Sequence, residues 1–403
     1  MSGILQGMRV VEGSAFVAIP LAGMTLAQMG AEVIRFDRLE GGLDAHRWPV
    51  TADGRSLFWA GLNKGKKSVA VNMKSDEGRD LITRLITAPG EDAGLFLTNL
   101  RVRGWMDHAT LSAHRPDLIT VTLLGDRHGG AAVDYSVNPS LGFPMATGPA
   151  GSEPIAHVLP AWDCIAGNLA VSTLLAAERH RLKTGAGQEA VLALKDVAAA
   201  MLGHLGIIGE VCVNGVDRAK AGNALYGAYG QDFVLADGAR IMVIGLTDRQ
   251  WRGLVKVTGT EEAMAGIEAQ AGVSLKDEGA RWRHRAEITA ALAPWFAARP
   301  LSEVGPALSQ AGCTWSEFRS FARAVAEDPD LSTDNPMMAN VAQPGIGTYP
   351  VPGLPTAFSG FPRETPAPAP RLGEHTEEVL AEVGGLSSGE IGRLMDGGIV
   401  AGP

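Results

Sequence analysis

GMRVVEGSAFVAIPLAGMTLAQMGAEVIRFD, residues 7–37, places two short apolar runs on either side of a helical stretch. Met8 to Glu12 reads as a strand, Gly13-Ser14 as its turn, Pro20 to Met29 as a helix, and Glu32 to Phe36 as a second strand entered through Gly30-Ala31. A strand-helix-strand unit of this kind makes the two strands parallel and sets the chain in the α/β class. The turn carries no G-x-G-x-x-G, so nothing in it points to a dinucleotide. Working outward, Glu77 to Ile86 repeats the helical pattern. Gly94 to Asn99 and Asp117 to Leu124 read as further buried strands, and Val191 to Val211 reads as an apolar helix. Ligands of open parallel sheets gather at such strand ends.

With 403 residues, 46 % of them hydrophobic, and a mean hydropathy of +0.07, the chain can bury a sizeable core in two or three domains. A net charge of -9 and a pI near 5.5 argue against nucleic acid, whose binders carry a basic patch. Cys164, Cys212 and Cys313 are odd in number and far apart, which supports neither a disulfide framework nor a zinc site and fits a reducing cytoplasm. No signal-peptide pattern precedes the first strand, and no apolar run reaches the ~18 residues of a membrane span. Neither a membrane nor a metal is expected as a partner.

Residues 154–188 read PIAHVLPAWDCIAGNLAVSTLLAAERHRLKTGAGQ. Apolar Ile165, Leu169, Val171, Leu174, Leu175 and Ala177 recur at helical spacing, and Arg179, His180, Arg181 and Lys183 run into Gly185, a helix C-terminus signal. Asp163 therefore stands at the start of a long helix, where unpaired N–H groups favour a carboxylate. On that ground alone it is an N-cap. Cys164 beside it has no His-Asp set pointing to it and reads as a packing residue.

The Pro followed by Asp163-x-x-x-Gly167, the helix, and His-Arg-x-x-Thr-Gly-x-Gly-Gln from His180 to Gln188 resemble the family III CoA-transferases, the formyl-CoA and carnitine-CoA transferase group. The likeness extends along nearly the whole chain, to Arg371-Leu372-Gly373-Glu374-His375-Thr376 near its end. It implies a nucleophilic role for Asp163, which takes the acyl group and then the CoA. It implies CoA contacts from Val17, Ala18 and Arg38, from Leu62, Asn63 and Lys66 within LNKGKKS (62–68), from Asn99, Leu100, Arg101 and Arg103, and from Tyr135. No separate cofactor is expected, because CoA arrives as part of the substrate. An interlocked homodimer is expected as well.

The same resemblance implies an α/β fold with a large Rossmann-like parallel-sheet domain, formed by N- and C-terminal parts, and a smaller inserted α+β domain. The corresponding spans are 1–212 for the first part, 213–237 for a linker, 238–325 for the small domain and 326–403 for an extended return and the second part. The Pro- and Gly-rich residues 335–370 are expected to form no regular elements, since Pro lacks a donor and Gly costs backbone entropy.

Several positions depart from the family pattern. Many relatives carry Gln where Val17 stands, and Gly245-Leu246-Thr247-Asp248 holds one glycine where several relatives have a poly-glycine loop. Oxyanion donors are sought in Gly142 to Gly148 or at Gly245. Racemases of the same fold need a His-Asp pair; their His falls where Tyr135 stands, which argues for transfer, although His128 and His157 are close in sequence. Intermolecular transfer of CoA between a thioester and a free carboxylic acid is the leading alternative, and a non-catalytic acyl-CoA binding module a lesser one. Within the family, GGLDAHRWPV (41–50), LFWAGLNKGKKS (57–68), LPAWDCIAG (159–167) and STDNPM (332–337) resemble the subgroup that moves CoA between the two carboxyls of one branched unsaturated dicarboxylate. Such a substrate needs a cation for its free carboxylate, and His46-Arg47 is the candidate.

Overall fold

A computed structural model describes residues 3–100 and 104–403. The stretch that decides the fold class forms β1 (Arg9–Gly13), α1 (Ala18–Gln28) and β2 (Glu32–Asp37). They are followed by α2 (Leu57–Leu62), β3 (Lys67–Val71), α3 (Asp76–Ile86), β4 (Leu95–Thr98), α4 (His108–His114) and β5 (Ile119–Leu124). The chain continues through α5 (Asp134–Ser140), α6 (Phe143–Ala146), the long α7 (Ala161–Thr184) and β6 (Gln188–Ala193).

One seven-stranded sheet has the order β12-β3-β2-β1-β4-β5-β6, in which β12 (Val400–Ala401) runs antiparallel to β3 and the remaining neighbours are parallel. The order reverses between β1 and β4, and that switch point is where an open α/β sheet presents its ligand crevice. Val11, Ile34, Phe36, Val69, Val71 and Phe96 form one apolar face under α3 and the two C-terminal helices Thr376–Glu382 and Ser388–Asp396. This compact unit comprises residues 1–141, 157–215 and 328–403, within the described residues.

α7 buries Trp162, Ala166, Ala170, Leu174, Ala177 and Arg181, a stripe at three- and four-residue steps. Leu169, expected on the buried face, is 40 % exposed. The reason is α1: a Cβ on Gly167 would stand 2.6 Å from the Ala18 carbonyl oxygen, so the close crossing selects Ala and Gly over Leu. The helix ends at Gly185, in the left-handed conformation with φ 73°.

Three expectations are corrected. Gln188–Ala193 forms the edge strand β6 ahead of α8 (Leu194–His204), and the apolar helix expected from Val191 is broken before α9 (Ile207–Asn214) by Gly206 at φ 76°. Tyr229–Val234, inside the span read as linker, is strand β7, paired antiparallel with β8 (Arg240–Gly245), which also pairs with β9 (Thr314–Glu317). Within 335–370, β10 (Met338–Gln343) and β11 (Gly347–Pro352) form a two-stranded antiparallel sheet. Both are edge strands, where a proline without an N–H is tolerated.

The second compact unit comprises residues 142–156 and 216–327. Its core gathers Tyr229, Phe233, Ile241 and Val243 from the sheet with Trp251, Leu254, Leu292, Phe296, Val304 and Leu308 from its helices. No single helix among the described residues is long and apolar enough to cross a membrane.

Candidate active site

Asp163 is the third residue of α7, so it is not the cap that the sequence alone suggests. The cap position is Pro160, which has no side-chain acceptor, and the first-turn N–H groups need one. Asp134, at the start of α5 and 1 % exposed, supplies it: its Oδ2 accepts from the Trp162 N–H at 2.7 Å and from the Asp163 N–H at 3.4 Å. Asp163 is thus left free to project from the first turn. Its carboxylate accepts no hydrogen bond among the described residues.

Burial and the facing Asp134 push the Asp163 carboxyl up to about 6, against the pull of the Arg47 cation. Burial and the same two carboxylates push the Cys164 thiol up, which keeps it protonated and removes it as a competing nucleophile. Arg47 is exposed, and its guanidinium lies 5.4 Å from the ring of Phe16 and 5.3 Å from that of Phe58. Two aromatic faces thereby hold a cation within electrostatic reach of Asp163.

Phe16 belongs to the loop leaving β1 at the switch point and has φ 65°, a conformation rarely adopted by a bulky side chain. Side chains from distant elements hold it there. Its N–H donates to Asp44 Oδ1 at 2.7 Å, and Asn99, just past β4, both accepts from the Ala15 N–H and donates to the Ala15 carbonyl at 2.8 Å. Asp44 in turn receives Arg35 at 3.0 Å. Arg35 also engages Asp37, Asn63 and the Ser14 carbonyl.

Lys66 completes this buried network, 2.9 Å from each oxygen of Glu12 and 3.0 Å from Asn63 Oδ1. Burial pushes its ammonium down against the opposing pull of Glu12. Gly23 makes room for Glu12, since a Cβ there would fall 1.7 Å from its Oε2.

The structure therefore separates the residues that the family resemblance grouped. Asn63 and Lys66, expected to meet CoA, have their polar atoms in the interior, where they brace the β1 loop. Val17 and Ala18 start α1 beside that loop, and Asn99 clamps it. Leu62 ends α2, Leu100 is half-buried with its N–H on Thr98, and Arg38 is a surface residue 3.9 Å from Glu40. Tyr135 is 54 % exposed and donates to the Val158 carbonyl at 3.2 Å. Arg101 and Arg103 lie outside the described residues.

His46 and Arg47 point different ways: His46 lines a cavity with Ser56, Trp59, Gln343 and Arg371, while Arg47 faces the aromatic pair. His157, kept in view for racemase chemistry, lies with Nε2 3.2 Å from Asp134 Oδ1, and His128 is exposed. The oxyanion candidates Gly142 to Gly148 and Gly245 fall in the second unit. Asp134, Phe16, Asp44 and Phe58 were missed. For Asp134 the available signal was a helix start with Pro160 in the cap position and no Ser, Thr or Asn to cap it.

The family model described as CoA-transferase family III matches residues 5–376. A 2-methylfumaryl-CoA isomerase of Chloroflexus aurantiacus is 58 % identical over 405 residues, spanning 100 % of this chain and 99 % of its own. A succinyl-CoA:mesaconate CoA-transferase of Haloarcula marismortui is 27 % identical over 402 residues, spanning 95 % of this chain and 97 % of its own. A solved CAIB/BAIF family protein from Brucella suis superposes with a TM-score of 0.78 at 25 % identity, covering 95 % of this chain and 100 % of that one.

Proposed function

The chain belongs to CoA-transferase family III, and from that premise we propose that this enzyme isomerises 2-methylfumaryl-CoA, moving CoA between the C1 and C4 carboxyls of one diacid through a covalent intermediate on Asp163. The observation that carries the chemistry is the Asp163 carboxylate: it is desolvated, without a hydrogen bond from the described residues, held at about 6 and so ionised at neutral pH. A carboxylate so poorly stabilised is a stronger nucleophile than one in water. The substrate rests on the full-length likeness to the Chloroflexus enzyme.

An Asp163 oxygen attacks the thioester carbon, and the C–S bond breaks to give a mixed anhydride and CoA thiolate. The thiolate attacks the aspartyl carbonyl, which releases the diacid as a carboxylate and leaves an aspartyl thioester. The diacid stays bound, and its other carboxylate attacks that thioester, expelling the thiolate a second time. Attack of the thiolate on the new acyl carbon yields the isomeric CoA ester and restores the Asp163 carboxylate. Each cycle returns every proton and electron. Retaining the acid replaces a bimolecular step by one of high effective molarity. Arg47 is the cation for the carboxylate that is not reacting, and its planar fork suits bidentate pairing in either orientation of the diacid.

The test is to convert the C1 ester in the presence of excess isotope-labelled free 2-methylfumarate. Unlabelled C4 ester is the expected product. Label entering the ester in proportion to the free acid refutes the intramolecular reading and leaves a general transferase.

A further inference from the structure

We infer that Asp134, partnered by His157, is a positioning residue for the Asp163 nucleophile: one of its oxygens fixes the first turn of α7 while its charge is held against the reacting carboxylate. The inference rests on the reading of Asp163 as the nucleophile. Asp134 grips α7 through two N–H groups, and Asn138, one turn further along α5, accepts from Trp162 Nε1 at 3.2 Å. α5 therefore sets both the height and the rotation of the turn that carries Asp163. The Trp162 ring leans on His157, with centroids 6.0 Å apart, so the same turn also orients the imidazole that meets Asp134.

A cap requires an acceptor and no charge. Asparagine would satisfy the Trp162 N–H equally well, and two buried carboxylates on neighbouring turns repel each other. The charge is unfavourable for folding, and its consequence falls on Asp163, whose ionised form it destabilises. His157 Nε2 meets the other oxygen of Asp134 at 3.2 Å and holds the carboxylate in this orientation. The remaining titratable and charged groups on the elements packed against Asp134 are Tyr135 on α5, Cys164 in the first turn of α7 with Glu178, Arg179, His180, Arg181 and Lys183 in its last two turns, and Lys195, Asp196 and His204 on α8, with Asp196 paired to Arg127. Arg47 acts on Asp163 from the opposite sign.

Two variants of the full-length protein separate this role from simple capping. Asp134→Asn keeps an acceptor and removes the charge. The acid limb of its kcat/KM profile is expected to move down by about half a pH unit or more, with a lower kcat at pH 7.5 and an unchanged KM. His157→Gln keeps a donor for the Asp134 oxygen and leaves the Asp134 charge in place, so it serves as the control whose acid limb is expected to stay where it is. Hydroxylamine trapping of an Asp163 peptide in the unaltered enzyme checks the nucleophile reading separately. With trapping positive, an acid limb that stays in place in Asp134→Asn overturns the inference and leaves Asp134 as a cap. Absence of a trapped peptide refutes the nucleophile instead.

Discussion

Replacing Asp163 by Asn should make the protein more stable at neutral pH while abolishing transfer. The rise from the ordinary 3.8 to about 6 corresponds to about 3 kcal/mol of disfavoured charge, and the partial solvent access of the residue trims this to about 2–3 kcal/mol. The sign follows from linkage: the folded state binds the proton more tightly than the unfolded chain, so stability falls as pH rises through the interval from 3.8 to about 6. Above that interval the wild type carries the full penalty, and below it neither protein does. Asn gives up no hydrogen bond to the described residues, because the carboxylate accepts none from them. Thermal unfolding of both proteins between pH 3.5 and 8 at constant ionic strength measures the gap, expected as a rise in Tm of a few degrees at pH 7.5 that closes on acidification. A variant no more stable than wild type at pH 7.5, or a gap independent of pH, refutes the account of Asp163 as a strained carboxylate.

Arg47→Ala removes the cation facing Asp163; kcat/KM should fall by roughly tenfold to a hundredfold, from the roughly 1.5–3 kcal/mol of a charged hydrogen bond, and the acid limb of the profile should move up. Gly167→Ala places a methyl 2.6 Å from the Ala18 carbonyl, so α7 must shift off α1. Steady-state kinetics and denaturation should record a loss of kcat together with about 1–3 kcal/mol of stability. Lys66→Met removes the nearer of the two cations on the buried Glu12 carboxylate and leaves Arg35 at 3.7 Å, and urea unfolding should report a loss of about 3–5 kcal/mol.

The sheet was legible because its strands are continuous apolar runs that local pattern resolves. The first βαβ unit sits within one or two residues of where Val10, Val33 and their neighbours place it. Asp163 was singled out by the family resemblance, through Pro160 and Gly167 at fixed offsets, whereas local pattern alone made it a cap, a position that Pro160 holds. What pattern could not provide is direction. Adjacent residues His46 and Arg47 diverge because the loop turns between them, and Lys66, a lysine in a run of three, goes inward because Glu12 waits in space freed by Gly23. The small-residue face of α7 misled for a similar reason: periodicity weighs Leu above Ala, whereas the α1 crossing rewards the smaller side chain. Asp134 reaches Asp163 across a separation of 29 positions, beyond any local window.

The left-handed backbone at Phe16 ties two properties to one side chain. Glycine there would relieve a conformation that costs a non-glycine residue about 1–2 kcal/mol, and it would also remove one of the two rings that hold Arg47. Selection for robustness and selection for turnover consequently pull this position in opposite directions. Random mutagenesis screened only for heat resistance should drift toward glycine at Phe16 and yield sturdier, slower enzymes. A screen for growth on the reaction product should retain the aromatic and seek its stability elsewhere.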